Sequence, residues 1–177
     1  MDKTTVFVRG KVYWPKIVGD GALHDNYDGD AREWSYELAP DDTDFLKDAG
    51  LLDRLKTKED AKNPDKGSFL VLRKPELNKD GEKNDPIRIY DADNQPWDED
   101  TLIGNGTEVV AKLTIVKWGK GKKASIWTTA IRVEDLVPYE SDEFSAFDGG
   151  GDEAPKPKKK AASKKTETED LDDDIPF

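Results

Sequence analysis

Between Val6 and Trp14 the chain reads VFVRGKVYW, and its side chains alternate strictly. Val6, Val8, Val12 and Trp14 fall on one face and Phe7, Arg9, Lys11 and Tyr13 on the other, the period-two pattern of a half-buried strand. Gly10 sits on the apolar face, where a missing side chain permits a bend or the close approach of another backbone. The opposite face carries two rings interleaved with two cations, which solvation alone does not call for.

Working outward, the same alternation recurs. Gly19 to Ala31 is a Gly/Asp/Asn-rich loop, and Glu33 to Leu38 (EWSYEL) is a strand with Trp34, Tyr36 and Leu38 on one face. After Pro40, any of Asp41, Asp42 or Thr43 can cap a short helix containing Phe45 and Leu46. Gly50 closes it, and Leu51, Leu52 and Leu55 extend its apolar stripe. Ser68 to Lys74 (SFLVLRK) and Ile87 to Asp91 (IRIYD) are short strands separated by a turn-rich insert. The longest strand is Thr107 to Trp118. It turns Val109, Ala111, Leu113 and Ile115 inward and Lys112, Thr114, Val116 and Trp118 outward. A basic turn, GKGKK at 119–123, leads into Ala124 to Val137, where Trp127, Ile131 and Val133 form the core face against Thr128, Ala130 and Arg132. Trp14 and Trp34 join Trp127 as expected core residues.

Short strands, Gly-rich turns and a single helix predict a mainly β fold: a five-stranded OB-fold barrel with one short helix and a disordered acidic C-terminal tail. With one helix, a parallel βαβ architecture is excluded. Composition shifts abruptly after Phe147, beyond which Phe177 is the only aromatic. The expected organisation is an OB-fold domain over 1–147, a flexible basic linker over 148–165 and an acidic tail over 166–177. The KPKKK run at 156–160 reads as a basic spacer in that linker.

Without cysteine there is neither a disulfide framework nor a thiolate metal site, and the lone His24 removes any His-pair zinc site. The start, MDKTTVFVRG, lacks the apolar run of a signal peptide, and no stretch approaches membrane-spanning length. The expectation is a soluble, cytoplasmic protein with no membrane partner and no cofactor. The net charge of -11 is unevenly spread. Residues 20–65 hold 14 acidic and 6 basic side chains, whereas 3–16 hold four basic and no acidic ones, and 103–137 hold six basic against three acidic. Local field, not net charge, steers a polyanion, so two basic strands in an acidic molecule mark a phosphate track.

Sequence-tolerant binding of a single nucleic-acid strand requires flat π-faces for unpaired bases and cations along the phosphates. The candidate stacking residues are Phe7, Tyr13, Tyr90 and Trp118. The candidate phosphate contacts are Arg9, Lys11, Arg88, Lys112, Lys117, Lys120, Lys122, Lys123 and Arg132. Catalytic signals are weaker. No phosphate-binding GxxxxGK[ST] loop exists, Gly104 and Gly106 precede a strand, and Asp25, Asp28, Asp30, Asp91 and Asp93 lack the glycine and closing glutamate of a calcium loop. Two alternatives stay open. A magnesium-dependent DNA nuclease or resolvase needs only a few scattered carboxylates, and an acidic DNA mimic that inhibits a host enzyme fits the net charge but not the basic strands.

The last twelve residues, TETEDLDDDIPF, contain six acids and no base, and end on Ile175-Pro176-Phe177. Two apolar side chains cannot offset the entropy of ordering twelve residues, but a terminal ring and carboxylate can dock in a pocket beside a basic ridge. Asp172, Asp173, Asp174, Ile175, Pro176 and Phe177 resemble the C-terminal tip of bacterial single-stranded DNA-binding proteins, which implies recruitment of polymerase, helicase, primase or nuclease. The order of elements through residue 145 is similar to podophage-type single-stranded DNA-binding proteins. The carrying features are the basic first strand, LIGNGTEVVAKLTIVKW, the lysine-rich turn and VEDLVPY at 133–139. That likeness implies a phage protein that coats and protects single-stranded DNA during replication, recombination or repair, acts without catalysis and forms a homodimer. It departs from that family at the tip, which has the bacterial Ile-Pro-Phe ending.

Overall fold

The computed structural model describes residues 1–19 and 21–139; the boundary expected near Phe147, the linker and the acidic tip lie outside the described residues. Seven strands and one short helix follow in the order β1 (Asp2–Lys16), β2 (His24–Asp25), β3 (Arg32–Pro40), α1 (Asp44–Ala49), β4 (Leu70–Pro75), β5 (Arg88–Tyr90), β6 (Thr107–Lys117) and β7 (Ser125–Asp135). They form one sheet in the order β4-β3-β1-β6-β7-β5, with β2 paired to the start of β3. Among the described residues the count is therefore seven instead of five. All pairings are antiparallel except that of β5, which lies parallel to β7 at the sheet edge.

The sheet curls into a half-barrel. On a flat sheet β3 and β7 would lie three ladders apart, about 14 Å, yet the Tyr36 hydroxyl of β3 meets the Thr128 hydroxyl of β7 at 2.7 Å. Only curvature brings them together. Inside the curl lie Val8 and Val12 of β1, Trp34, Tyr36 and Leu38 of β3, Leu70 and Leu72 of β4, and Val109, Ala111, Leu113 and Ile115 of β6. These are the inward positions of the period-two reading. Gly10 is required by proximity: a Cβ there would stand 2.4 Å from the Ala39 carbonyl oxygen of β3. The helix is one turn and a half. Asp42 accepts from the Asp44 amide at 2.7 Å, and Gly50, at φ 72°, ends it while the Leu51 amide donates to Leu46 O at 2.8 Å. The expected stripe through Leu52 and Leu55 does not continue the helix: Leu52–Arg54 form a single 3₁₀ turn, and Leu52 is exposed.

Four assignments of exposure are corrected, two of them, Trp14 and Trp127, by bulges. The β1–β3 register shifts between Tyr13 and Lys16, where Trp14 adopts φ 51°. An extra residue reverses the faces that follow it. Trp14, after the shift, is exposed instead of inward, whereas Tyr13, still in register opposite Glu37, is buried because Lys66 covers its outward face. A second shift, between Lys112 and Leu113 of β6, leaves Thr129 of β7 unpaired. Ile131 and Val133 consequently point inward, while Trp127 turns out and is 49% exposed. The last correction is Val116, which is fully buried although it alternates with inward residues.

Where Trp14 swings out, its indole N–H donates to Asp60 Oδ2 at 2.8 Å. Burial disfavours the charged Asp60 carboxylate, but hydrogen bonds from Asn63, Trp14 and the Lys62 amide, together with the Lys66 charge, outweigh it and hold its pKa at about 2. A depressed carboxylate pKa adds stability that is complete above the unfolded value near 4 and is lost as pH falls toward 2. The stability gap between wild type and Asp60→Asn should therefore narrow on acidification from pH about 4 to about 2. Urea midpoints across that range test this, and a constant gap would count against the assignment.

Candidate nucleic-acid interface

Outward-facing residues of β1, β6, β7 and β5 fall into register as two adjacent rows. Phe7 pairs with Lys112, Lys112 with Ala130 and Ala130 with Arg88; next to these, Arg9 pairs with Val110, Val110 with Arg132 and Arg132 with Tyr90. Rows two residues apart along a strand are separated by about 7 Å. Each row contains a ring, two cations and one small or medium apolar residue. Because Ala130 and Val110 are short and their neighbours long, the face is hollowed into a groove of about 470 Å³. It is lined by these eight residues together with Asn94 and Ile131.

Phe7 is 69% exposed, an apolar ring standing on the outside of a sheet. The Lys112 ammonium lies 5.9 Å from its centroid, within cation–π range. Arg132 is held on two sides. Its Nε donates to Glu134 Oε2 at 2.6 Å and its NH1 to Asn94 Oδ1 at 3.3 Å, while Arg9 reaches Glu134 Oε1 at 3.7 Å. Glu134 thus spaces the two arginines and fixes one guanidinium without closing the groove over it. Asn94 occupies its place through φ 64°, a left-handed conformation that Asn tolerates better than most residues. Four cations face the groove and one carboxylate borders it, so the local charge is positive in a molecule whose net charge is -11.

Six of the sequence candidates meet here: Phe7, Arg9, Arg88, Tyr90, Lys112 and Arg132. Lys11 lies one row further on, opposite Glu108, and outside the groove lining. Lys117, Trp118, Lys120, Lys122 and Lys123 lie at the other end of β6 and in the turn that follows. Lys123 is ion-paired with Asp53, and Lys117 Nζ donates to Asp48 O at 3.5 Å. Tyr13 is corrected. Its ring is buried beneath the Lys66 ammonium, 5.3 Å from the centroid, and presents no face to a base. Burial, then the nearby Asp65 and Asp60 charges, raise its hydroxyl pKa.

Asn94, Glu134 and the exposed Trp127 were not candidates. Asn94 had a signal in the ADNQ turn after Tyr90, whereas the other two depend on pairings that local sequence does not reveal. The acidic runs serve their own loops: Asp91 Oδ1 accepts from the Asp93 and Gln95 amides at 2.9 Å each, and Asp30 Oδ1 from the Asn26 side chain at 2.9 Å. Among the described residues, no three His, Asp or Glu side chains converge as a metal-binding set, and no helix is long and apolar enough to cross a membrane.

No protein-family model matches the chain, and no curated protein matches it. Among solved structures it is similar to gp2.5, a single-stranded DNA-binding protein encoded by bacteriophage T7. The identity is 12%, the match covers 89% of this chain and 100% of that one, and the TM-score is 0.47. It is similar also to the single-stranded DNA-binding protein of bacteriophage Enc34 in complex with single-stranded DNA, at 12% identity, 78% and 89% coverage and a TM-score of 0.48. The same Enc34 protein in another structure gives 12% identity, 82% and 90% coverage and a TM-score of 0.47. The likeness to phage single-stranded DNA-binding proteins noted in the sequence is thus met again among these structures.

Proposed function

We propose that this chain is a non-catalytic single-stranded DNA-binding protein that lays unpaired DNA across the β1-β6-β7-β5 face. The observation that carries the reading is the pair of registered rows, in which rings and cations alternate around a shallow hollow. An exposed Phe7 has no use on a duplex, whose base faces are already stacked, whereas a single strand offers them. Arg9, Arg88, Lys112 and Arg132 supply the phosphate contacts. A DNA mimic would need carboxylates where this face has those four cations.

Engaging four phosphates of a single strand predicts that log K falls with log salt with a slope of about -3. Anisotropy titrations with labelled oligo-dT between low and moderate salt measure it. A slope near zero, or equal affinity for duplex, would remove the reading.

The acidic tip completes the proposal. Asp172 to Phe177, by its composition and its resemblance to the bacterial tips, is assigned the recruitment of replication, recombination or repair enzymes. The OB-fold assignment for the half-barrel and the homodimer implied by the phage family belong to the same reading.

A further inference from the structure

The groove does not end the outward face. Beyond the Phe7–Lys112–Ala130 row the next rung pairs Thr5 with Thr114 and Thr114 with Trp127, and the one after it pairs Val116 with Ser125. Trp118 then closes the strand, its indole N–H donating to Ser125 Oγ at 2.9 Å. Trp118 and Trp127 are 38% and 49% exposed, with centroids 6.1 Å apart and planes tilted by 56°. Tilted in this way, they do not cover each other's faces. Lys79 approaches the Trp118 ring at 5.9 Å, and Lys120 and Lys122 are exposed in the turn that follows it in the chain.

We infer that Trp127 and Trp118 form a second base-stacking site, continuous with the groove, that takes the next bases of the same DNA strand. The inference rests on the reading proposed above and extends it along β6 and β7. Three observations favour a nucleic acid over an apolar protein partner. The rings lie along the same outward face as the groove, Trp127 one row away, about 7 Å, and Trp118 two rows beyond it. Lys79 lies over Trp118, and the lysine-rich 119–123 turn follows it in the chain of an otherwise acidic molecule, which suits phosphates. Finally, the β7 bulge is what turns Trp127 out; without it this ring would follow Ile131 into the core.

Oligonucleotide length separates the two sites. Oligo-dT of about 4 nucleotides can occupy the groove alone, and one of about 16 nucleotides can reach both. Trp127→Ala is expected to weaken the long oligomer by about 5- to 160-fold, the range of a lost stack, and to leave the short one unchanged. Trp127→Phe should restore most of the difference. No groove-lining residue is a tryptophan, so emission should be quenched by the long oligomer and barely altered by the short one. Equal loss for both lengths, or none for the long one, would overturn the second site. Loss of self-association without change in DNA affinity would reassign the rings to a second copy of the chain. Phe7→Ala should weaken both lengths. If it weakens neither, or if wild type binds neither, the groove reading itself is lost.

Discussion

A Phe7→Ala/Arg132→Ala variant should bind oligo-dT about one hundred- to one thousand-fold more weakly than wild type, with its fold intact. The ring contributes about 1 to 3 kcal/mol through one stacked base. A charge-assisted phosphate contact from the arginine contributes about as much. Phe7 and Arg132 lie on different rows and on strands separated by β6, with no shared partner, so the two losses should nearly add. Removing Arg132 also takes the closest cation from Glu134, leaving a carboxylate beside the DNA path with only Arg9, at 3.7 Å, to balance it. Both side chains are solvent-facing, so thermal stability should change little. Lys58→Ala, which removes the same charge from an exposed loop position, should change affinity less than twofold if local field governs binding. Comparable losses from Lys58→Ala and Arg132→Ala would mean that net charge, and not this groove, sets the affinity.

Much of the architecture was legible because alternation is a local property. Val8 to Val12, Trp34 to Leu38 and Val109 to Ile115 point where period two places them, and these strands alone define the inner surface of the half-barrel. The groove was legible for the same reason. Phe7, Arg9 and Lys112 are outward members of regular strands, and register then brings them beside Arg88, Tyr90 and Arg132. What local patterning cannot show is where one extra residue is inserted. Two bulges reversed Trp14 and Trp127; Pro15 lies inside the first insertion, but no proline or glycine marks the second, at Thr129. The parallel docking of β5 on β7 was equally hidden, since it joins segments some forty residues apart. The acidic loops hid a further feature, the burial of a lysine.

Lys66→Met should lower stability by about 2 to 3 kcal/mol, a fall in melting temperature of about 10 °C for a domain of this size. The Lys66 side chain is only 5% exposed, although its segment, KTKEDAKNPDKG at 56–67, is almost wholly polar. It passes over Phe69, with its ammonium 3.8 Å from the ring centroid, and forms ion pairs with Glu37 and with Asp60, the latter at 3.5 Å. The stem fits an apolar replacement, so the loss comes from the two carboxylates left behind. Their side chains are 24% and 13% exposed, and partial access to water keeps the effect below that of a fully buried orphan charge. Adding Glu37→Gln and Asp60→Asn to Lys66→Met should therefore recover much of the deficit, because the triple variant no longer strands charge. If the triple variant is no more stable than Lys66→Met, packing and not charge compensation is what Lys66 supplies. DNA affinity separates this cluster from the groove. Lys66 lies over Tyr13, outside the groove lining, so Lys66→Met should bind oligo-dT as wild type does below its lowered melting temperature.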